Sequence, residues 1–186
     1  PSGSGFPGES AGVLRGPQAW GPSEKATMSY GYGLSVTALQ LARAYAAVGN
    51  NGRIREASFV KGADTPGEQV VDPRIARELM AMMETVVGPE GTARRAAVLG
   101  YRVAGKTGTA RKADGGGYAA NRYAAVFAGL VPASAPRFAT VVVIHDPQGP
   151  EYGGGARSAA GLHRVNGGAL GLMGLAPDAI EPWVAA

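Results

Sequence analysis

The stretch from Val103 to Arg111 carries more potential chemistry than any other part of the sequence. It reads Val-Ala-Gly-Lys-Thr-Gly-Thr-Ala-Arg, so one lysine, Lys106, and two hydroxyls, those of Thr107 and Thr109, stand among small residues. The glycines leave backbone room for another molecule to lie against the chain. Such a run suits either a loop that cradles phosphate or the edge strand of an active-site cleft.

The phosphate-loop interpretation fits the letters of the sequence but not its surroundings. Residues 100–107 match the formula G-x-x-x-x-G-K-[ST], which must run directly into a helix whose N-terminus faces the phosphates. Here Gly108 and Thr109 follow, and three glycines stand at 115–117, so we expect no helix to begin there. The loop interior, Tyr-Arg-Val, is also bulky for a tight cradle. The sequence therefore argues against a P-loop NTPase.

On an edge strand the same residues would serve a different chemistry. A substrate peptide can add beside such a strand and pair with its backbone. Lys106 and the hydroxyls of Thr107 and Thr109 would supply positive charge and hydrogen-bond donors for a carboxylate, and Gly108 would avoid a side-chain clash. The K-T-G element of penicillin-recognising serine enzymes has this form.

Other patterns resemble functional motifs but lack the context that the chemistry needs. Residues 8–12 match G-x-S-x-G, yet that nucleophile elbow needs a strand before it and a helix after it, and the flanking prolines and glycines oppose both. Residues 58–61 spell S-x-x-K, but the lysine must lie one helical turn after the serine, and the surroundings predict a strand. His145 and His163 have no second ligand at metal spacing, so we predict neither a metal site nor a cofactor.

Composition and charge narrow the class of protein. The chain has 186 residues, 45% of them hydrophobic, which suits one globular domain or a large piece of a bigger one. It has no cysteine and no apolar run near the ~20 residues of a membrane span. Few aromatics are spaced to stack on bases, which argues against nucleic acid as a partner. The net charge of +4 is concentrated in a basic cluster that would attract an anion: Arg94, Arg95, Arg102, Lys106, Arg111 and Lys112.

The order of predicted elements indicates an α+β fold, with an antiparallel sheet covered by helices. Short connections between three successive strands favour a meander over a parallel sheet. The first 24 residues are rich in glycine and proline and predict an irregular loop. The predicted elements are a helix from Thr37 to Val48, a strand over 54–60, a helix from Asp72 with one apolar face (Ile75, Leu79, Met82, Met83 and Val86), strands including 104–111, 122–131 and 137–144, and a helix over 158–173.

Four stretches in order make the sequence resemble one known family. They are Gly-Phe-Pro-Gly-Glu at 5–9, Tyr-Gly-Tyr-Gly-Leu-Ser-Val-Thr-Ala-Leu-Gln-Leu-Ala at 30–42, Ala-Gly-Lys-Thr-Gly-Thr-Ala-Arg-Lys at 104–112, and the Val-Val-Val-Ile strand followed by Tyr152-Gly-Gly. Together they closely resemble the C-terminal half of the transpeptidase domain of class B penicillin-binding proteins, of the septal (penicillin-binding protein 3) kind. The fold that this implies is β-lactamase/transpeptidase-like and, over residues 1–186, incomplete.

The resemblance implies a D,D-transpeptidase that cross-links peptidoglycan at the division septum through a serine acyl-enzyme. Its implied partners are the D-Ala-D-Ala stem peptide, β-lactam antibiotics that trap the serine as substrate mimics, and other division proteins. The implied location is the periplasmic side of the bacterial inner membrane, where the parent protein would be held by a single span.

The resemblance also implies roles for individual residues. Lys106 would belong to the proton and charge network around the serine, and the hydroxyls of Thr107 and Thr109 would bind the substrate carboxylate. Gly108 completes the K-T-G element, and the backbone N–H of Thr109 would form half of the oxyanion hole. The implied substrate-binding residues are Tyr32 and Tyr123, which would line the cleft, Arg111 beside it, and Tyr152 on a nearby loop.

Two elements of the family pattern, the catalytic S-x-x-K and the S-x-N, lie upstream in the family and have no counterpart in this sequence. We therefore expect that this chain alone cannot form an acyl-enzyme. Two non-enzymatic alternatives stay open at this point. One is a structural or partner-binding remnant with half a site, and the other is an anion-binding module that uses the basic cluster.

Overall fold

A three-stranded antiparallel sheet forms the centre of the fold, with helices on both of its faces. The computed structural model describes residues 1–114, 117–148, 155 and 157–179, with side chains except at 113, 114 and 117–121. The helices are α1 (Pro22–Met28), α2 (Ala38–Gly49), α3 (Pro73–Glu84) and α4 (Arg157–Leu172); the strands are β1 (Arg53–Arg55), β2 (Gly67–Gln69), β3 (Ala104–Asp114), β4 (Gly117–Val131) and β5 (Phe138–His145); short 3-10 helices cover Pro17–Ala19, Thr85–Val87 and Arg94–Ala96. Within these ranges, no helix combines the length and the apolar character that crossing a membrane requires.

The central strand of the sheet is β4, which pairs with β3 on one side and with β5 on the other. Both pairs are antiparallel, and the register places Thr107 opposite Phe127 and Phe127 opposite Val142. The connection from β4 to β5 is too short for a parallel crossover. The predicted meander and the α+β class are confirmed.

One face of the sheet packs against α4. Phe127 and Val131 of β4 lie in one buried cluster with Leu162 and Leu170 of α4. Residues two apart on a strand share a face, so Gly129 lies between the two β4 side chains. A Cβ at Gly129 would lie 2.9 Å from Cδ1 of Leu162, so the glycine allows the helix to approach the sheet closely.

The other face of the sheet packs against α2 and α3. Leu130, which alternates with Phe127 and Val131 along β4, clusters with Ala104 of β3 and with Tyr45, Met80 and Met83 of the two helices. The sheet therefore lies between two helical layers, and both faces of its central strand are buried.

Both of these helices begin at the caps that the sequence predicts. The Thr37 hydroxyl accepts the Gln40 N–H (3.1 Å), and the Gln40 side chain accepts the Thr37 N–H (2.9 Å), which is a complete capping box. The Asp72 carboxylate accepts the Arg74 N–H (2.7 Å), with Pro73 as the first residue of α3.

The predicted apolar face of α3 is partly wrong. Ile75 and Met82 are 45% and 58% exposed, whereas Ala76 is fully buried and Met80 and Met83 pack against the core. Apolar residues on α3 form two overlapping stripes with helical spacing, and periodicity alone does not choose between them. The small Ala76 faces inward, which brings the helix backbone close to its neighbours.

Two predictions for the irregular parts of the chain are also wrong in part. The predicted strand over 54–60 is confirmed only at its start, where the three-residue β1 pairs with β2. Residues 58–61 form a bend and turn, in which the Ser58 hydroxyl accepts the Val60 N–H (3.0 Å), so the S-x-x-K pattern lacks the helix that its chemistry needs. The glycine-rich start is not wholly irregular, since α1 begins at Pro22 within it.

The packing of α4 predicts a sharp contrast between two leucines on the same helix. Leu162→Ala removes a fully buried side chain from the cluster around Phe127, and we expect it to lower the free energy of unfolding by about 3 kcal/mol. Leu172→Ala changes a side chain that is 90% exposed and should cost less than about 0.5 kcal/mol. Urea unfolding of both variants measures the difference, and equal losses would contradict the described packing.

Candidate active site

The candidate site lies along the outer edge of β3, the strand that carries Lys106, Thr107, Gly108 and Thr109. Among the described residues, β3 pairs with β4 and with no strand on its other side. The register runs without interruption from Ala104 to Arg111, so successive residues alternate in regular fashion over the whole motif. The prediction that the motif lies on an edge strand is therefore confirmed.

Two hydrogen bonds show which backbone groups of β3 point outward. The Arg111 N–H donates to the Tyr32 hydroxyl (3.1 Å), away from β4. Its partner across the ladder, Tyr123, accepts the Asp146 N–H at its carbonyl (2.8 Å), so that carbonyl points toward β5 rather than β3. In an antiparallel pair both backbone groups of a residue point to the same side and alternate along the strand. The N–H and C=O of Thr107 and Thr109 therefore face the outer edge.

Tyr32 reaches this edge from a tight turn that follows α1. The N–H groups of Tyr30 and Tyr32 both donate to the Thr27 carbonyl (3.3 and 3.0 Å), and Gly31 and Gly33 adopt positive φ angles of 89° and 81°. Glycine takes such angles without steric cost, which lets the chain reverse within a few residues. The Tyr30 ring lies against the Tyr32 ring, with centroids 5.7 Å apart.

The structure brings together three of the four predicted substrate-binding residues. The Arg111 guanidinium carbon lies 6.0 Å from the centre of the Tyr123 ring, at the long limit of a cation–π contact. The Tyr32 hydroxyl accepts the N–H of Arg111. Tyr32, Arg111 and Tyr123 therefore form one group at the far end of the motif. We call these three residues the rim group. The fourth prediction, Tyr152, lies outside the described residues.

The Lys106 side chain is exposed and turns along its own strand. Its ammonium group donates to the carbonyl of Thr107 (2.9 Å), one of the outward-facing carbonyls. Lys106 and Gly108 share one face of β3, and Thr107 and Thr109 share the other. A positive charge and the outward backbone groups thus lie within one short segment.

Thr92 is a neighbour of the motif that sequence reasoning missed. Its hydroxyl lies 3.3 Å from the Thr107 hydroxyl. Gly155 lies against the same pair, because a Cβ there would be 2.0 Å from the Thr92 carbonyl oxygen and 3.6 Å from Cγ2 of Thr107. Any side chain at 155 would push Thr92 away. Nothing local in the sequence marks these contacts, which join residues far apart in the chain.

The basic cluster is not one continuous surface. Arg102 makes two hydrogen bonds of 2.8 Å with the Glu84 carboxylate, which raises the pKa of Arg102. Lys112 pairs with Asp146 (2.7 Å) at the opposite end of β3. Two of the six basic side chains are thus neutralised by acids from other segments, which weakens the anion-binding alternative.

The residues of the rejected motifs have ordinary structural contacts. His163 Nδ1 lies 2.6 Å from the Ala97 carbonyl oxygen. Glu9, within the G-x-S-x-G pattern, is hydrogen-bonded to Ser2 and Ser4, and no helix follows Gly12 directly. In the described part of the chain, no three histidine, aspartate or glutamate side chains are grouped to hold a metal ion.

The Tyr32 hydroxyl predicts a local effect on β3. Tyr32→Phe removes the acceptor of the Arg111 N–H, and hydrogen exchange at that amide should accelerate by about fivefold, as expected for the loss of one hydrogen bond worth ~1 kcal/mol. Tyr30→Phe, in the neighbouring ring, is the matched control and should leave the rate unchanged. Exchange resolved by NMR gives both rates, and equal rates would show that Tyr32 does not protect this edge.

Comparisons with known proteins agree with this geometry. The family described as "Penicillin binding protein transpeptidase domain" matches residues 1–166. The chain is 48% identical over 177 residues to the peptidoglycan D,D-transpeptidase FtsI of Escherichia coli, covering 95% of this chain and 30% of that protein. It is 44% identical over 175 residues to the probable peptidoglycan D,D-transpeptidase PenA of Neisseria gonorrhoeae, covering 94% of this chain and 30% of that protein.

A solved structure extends the likeness to the fold. The transpeptidase domain of Burkholderia pseudomallei penicillin-binding protein 3 superposes with a TM-score of 0.86 at 40% identity, over 95% of this chain and 54% of that one. The chain thus spans about a third of the length of the curated relatives and about half of the solved domain. Because the family match covers residues 1–166 of the 186-residue chain, the chain belongs to the family of penicillin-binding protein transpeptidase domains.

Proposed function

We propose that this chain forms the KTGT side of the active site of a peptidoglycan D,D-transpeptidase that acts at the division septum and also binds β-lactams. The observation that carries the proposal is the outer edge of β3, where Thr107 and Thr109 direct their backbone groups away from β4. An extended stem peptide that ends in D-Ala-D-Ala can pair with such an edge through its own backbone.

The residues of the edge have complementary parts in this proposal. The hydroxyls of Thr107 and Thr109 bind the terminal carboxylate of the stem peptide or the carboxylate of a β-lactam. Lys106 supplies positive charge beside the reacting serine and helps to move its proton. The N–H of Thr109 donates to the oxyanion of the tetrahedral intermediate, and one such donor is worth roughly 3–4 kcal/mol of transition-state stabilisation.

The proposed reaction has two steps. In the first step, a serine Oγ bonds to the carbonyl carbon of the penultimate D-Ala, the peptide C–N bond breaks, and the terminal D-Ala leaves as an amine that takes the serine proton. In the second step, the amine of another stem peptide bonds to the same carbonyl carbon, the ester C–O bond breaks, and a proton from the amine returns to the serine Oγ. The serine belongs to a helical S-x-x-K element that lies upstream in the family; the S-x-x-K letters at 58–61 of this sequence lie in a bend and turn, so the chain supplies the receiving side of the site.

The remaining parts of the proposal concern the setting of the reaction. The similarity to a protein named FtsI supports a role in division, with other division proteins as partners. Peptidoglycan cross-linking places the active site on the periplasmic side of the inner membrane, in a parent protein that is anchored there.

A fluorescent penicillin tests the proposal directly. We expect no covalent label on the chain by itself, because it lacks the serine. A hybrid polypeptide, in which this chain replaces the matching segment of the Escherichia coli relative, should take up one label per molecule and lose it when the upstream serine is changed to alanine. Gel fluorescence measures the label. A folded hybrid without label would overturn the proposal. Label on the chain alone would show that the reacting serine lies in this chain, which the proposal denies.

A substitution at Gly108 tests the space for a ligand without disturbing the packing of the fold. A Cβ at Gly108 would meet only the Cβ of Val126, at an ordinary contact distance of 3.7 Å, so Gly108→Ala should leave the thermal midpoint nearly unchanged. The methyl group would, however, lie beside the Lys106 side chain and next to the backbone edge that pairs with the substrate in this proposal, and we expect labelling of the hybrid to slow by about tenfold, equivalent to ~1.4 kcal/mol.

The matched control for this substitution is Gly168→Ala on α4, where an added Cβ meets no atom within 4 Å. It should leave the labelling rate unchanged. If Gly108→Ala and Gly168→Ala labelled at equal rates, the outer edge next to Gly108 would not be where the ligand lies.

A further inference from the structure

The Asp146 side chain contacts β3 and β4, and the residue lies at the end of β5, so it joins all three strands of the sheet. Its Oδ2 accepts hydrogen bonds from the Lys112 ammonium group near the end of β3 (2.7 Å) and from the Arg122 guanidinium in β4 (3.1 Å). Asp146 itself directly follows β5. One carboxylate oxygen thus binds two cations that lie 34 and 24 residues earlier in the sequence.

The backbone of Asp146 is held in an unusual conformation. Its φ angle is +48°, in the left-handed region that disfavours most residues with a Cβ, although aspartate tolerates it better than most. The Asp146 N–H donates to the Tyr123 carbonyl (2.8 Å), and its carbonyl accepts from the Gln148 side chain (2.9 Å). These contacts fix the place of the carboxylate despite the backbone preference.

The carboxylate also carries a cost that stability does not explain. Its second oxygen, Oδ1, is buried and has no hydrogen-bond partner among the described residues. Buried polar atoms are nearly always paired, because an unpaired one loses its water without compensation. The hydrogen bond from Lys112, followed by that from Arg122, lowers the pKa of Asp146, so the group is ionised near neutral pH. A departure of this kind from local rules is typical of functional sites.

The two cations that Asp146 holds are the sequence neighbours of the rim group. Lys112 follows Arg111 in the sequence, and Arg122 precedes Tyr123. Arg111 and Tyr123 lie opposite each other across the β3–β4 ladder. The register of this ladder shifts between Arg111 and Ala113, so the regular pairing that positions the motif ends at the rim group. Beyond the shift the two strands pair again, Ala113 with Tyr118 and Asp114 with Gly117, and at the shift itself Asp146 adds side-chain hydrogen bonds to both strands.

We propose that Asp146 is a positioning residue for the active site. By holding Lys112 and Arg122, it sets the separation and the angle of Arg111 and Tyr123, and through them the width of the cleft at the far end of the KTGT edge. The inference rests on the proposed function, because the rim group matters only if a ligand lies along that edge. Asp146 itself touches no ligand and no reacting atom.

The first test measures position in the absence of any ligand. Asp146→Asn keeps the shape of the side chain and removes its charge, and we expect hydrogen exchange at the amides of 110–112 and 122–124 to accelerate by about three- to tenfold, because the strands open more readily when the bonds to Lys112 and Arg122 are weakened. The matched control is Asp178→Asn, since the Asp178 carboxylate accepts the N–H groups of Arg102 (2.7 Å) and Ser134 (3.0 Å) at the opposite end of the sheet. Unchanged exchange in Asp146→Asn, or equal acceleration in both variants, would overturn the inference.

The second test measures the labelling of the hybrid polypeptide by a fluorescent penicillin. In Asp146→Asn we expect the concentration for half-maximal rate to rise by about three- to tenfold with little change in the maximal rate, because the cleft is mispositioned while the reacting groups stay intact. Lys112→Gln should reproduce the effect, and Asp178→Asn should not. A lower thermal midpoint with unchanged labelling constants would reduce Asp146 to a structural role and overturn the inference.

The two tests also separate this inference from the proposed function. If the unchanged hybrid took no label, the proposed function would fail. The exchange rates would then still decide whether Asp146 positions Arg111 and Tyr123.

Discussion

The outer edge of β3, the side that faces away from β4, is the constraint on which the rest of the structure depends. An exposed edge presents N–H and C=O groups that can pair with any extended chain, so proteins usually cover or interrupt such edges. Here the Tyr32 hydroxyl accepts the Arg111 N–H at the far end of the motif, and the Lys106 ammonium group donates to the outward carbonyl of Thr107. The outward backbone groups of Thr107 and Thr109 lie in the short segment of β3 before Arg111. An extended peptide can pair with an edge of this kind, and the proposed function depends on that pairing.

The two glycines of the motif serve different physical needs. At Gly105 a Cβ would lie 2.5 Å from Cζ of Phe127, the largest fully buried side chain of the core, so glycine is required for the sheet to pack. At Gly108 a Cβ would meet only Val126 at 3.7 Å, so the protein itself does not require glycine there. The packing of the sheet therefore requires the first glycine, whereas no contact among the described residues requires the second.

Local features of the fold could be predicted from the sequence, and contacts between distant segments could not. The helix caps at Thr37 and Asp72, the edge-strand placement of Lys106 and the three-strand meander each follow from a few adjacent residues. The buried face of α3 was misjudged because two apolar stripes fit the same helical spacing, and Ala76 rather than Ile75 faces the core. The contact of Thr92 with Thr107 and that of Asp146 with Lys112 depend on how the sheet folds, which composition and spacing do not specify.

A site built on a strand edge needs both ends of that strand to be held. At the start of β3, the Asp178 carboxylate accepts the N–H groups of Arg102 and Ser134, and at the other end Asp146 binds Lys112 and Arg122. Both carboxylates come from segments later in the chain than the strand that they hold. The geometry of the KTGT edge is therefore complete only after β5 and the residues beyond α4 have folded onto the sheet. The geometry of residues 106–109 thus depends on contacts with Asp146 and Asp178, which lie far from them in the sequence.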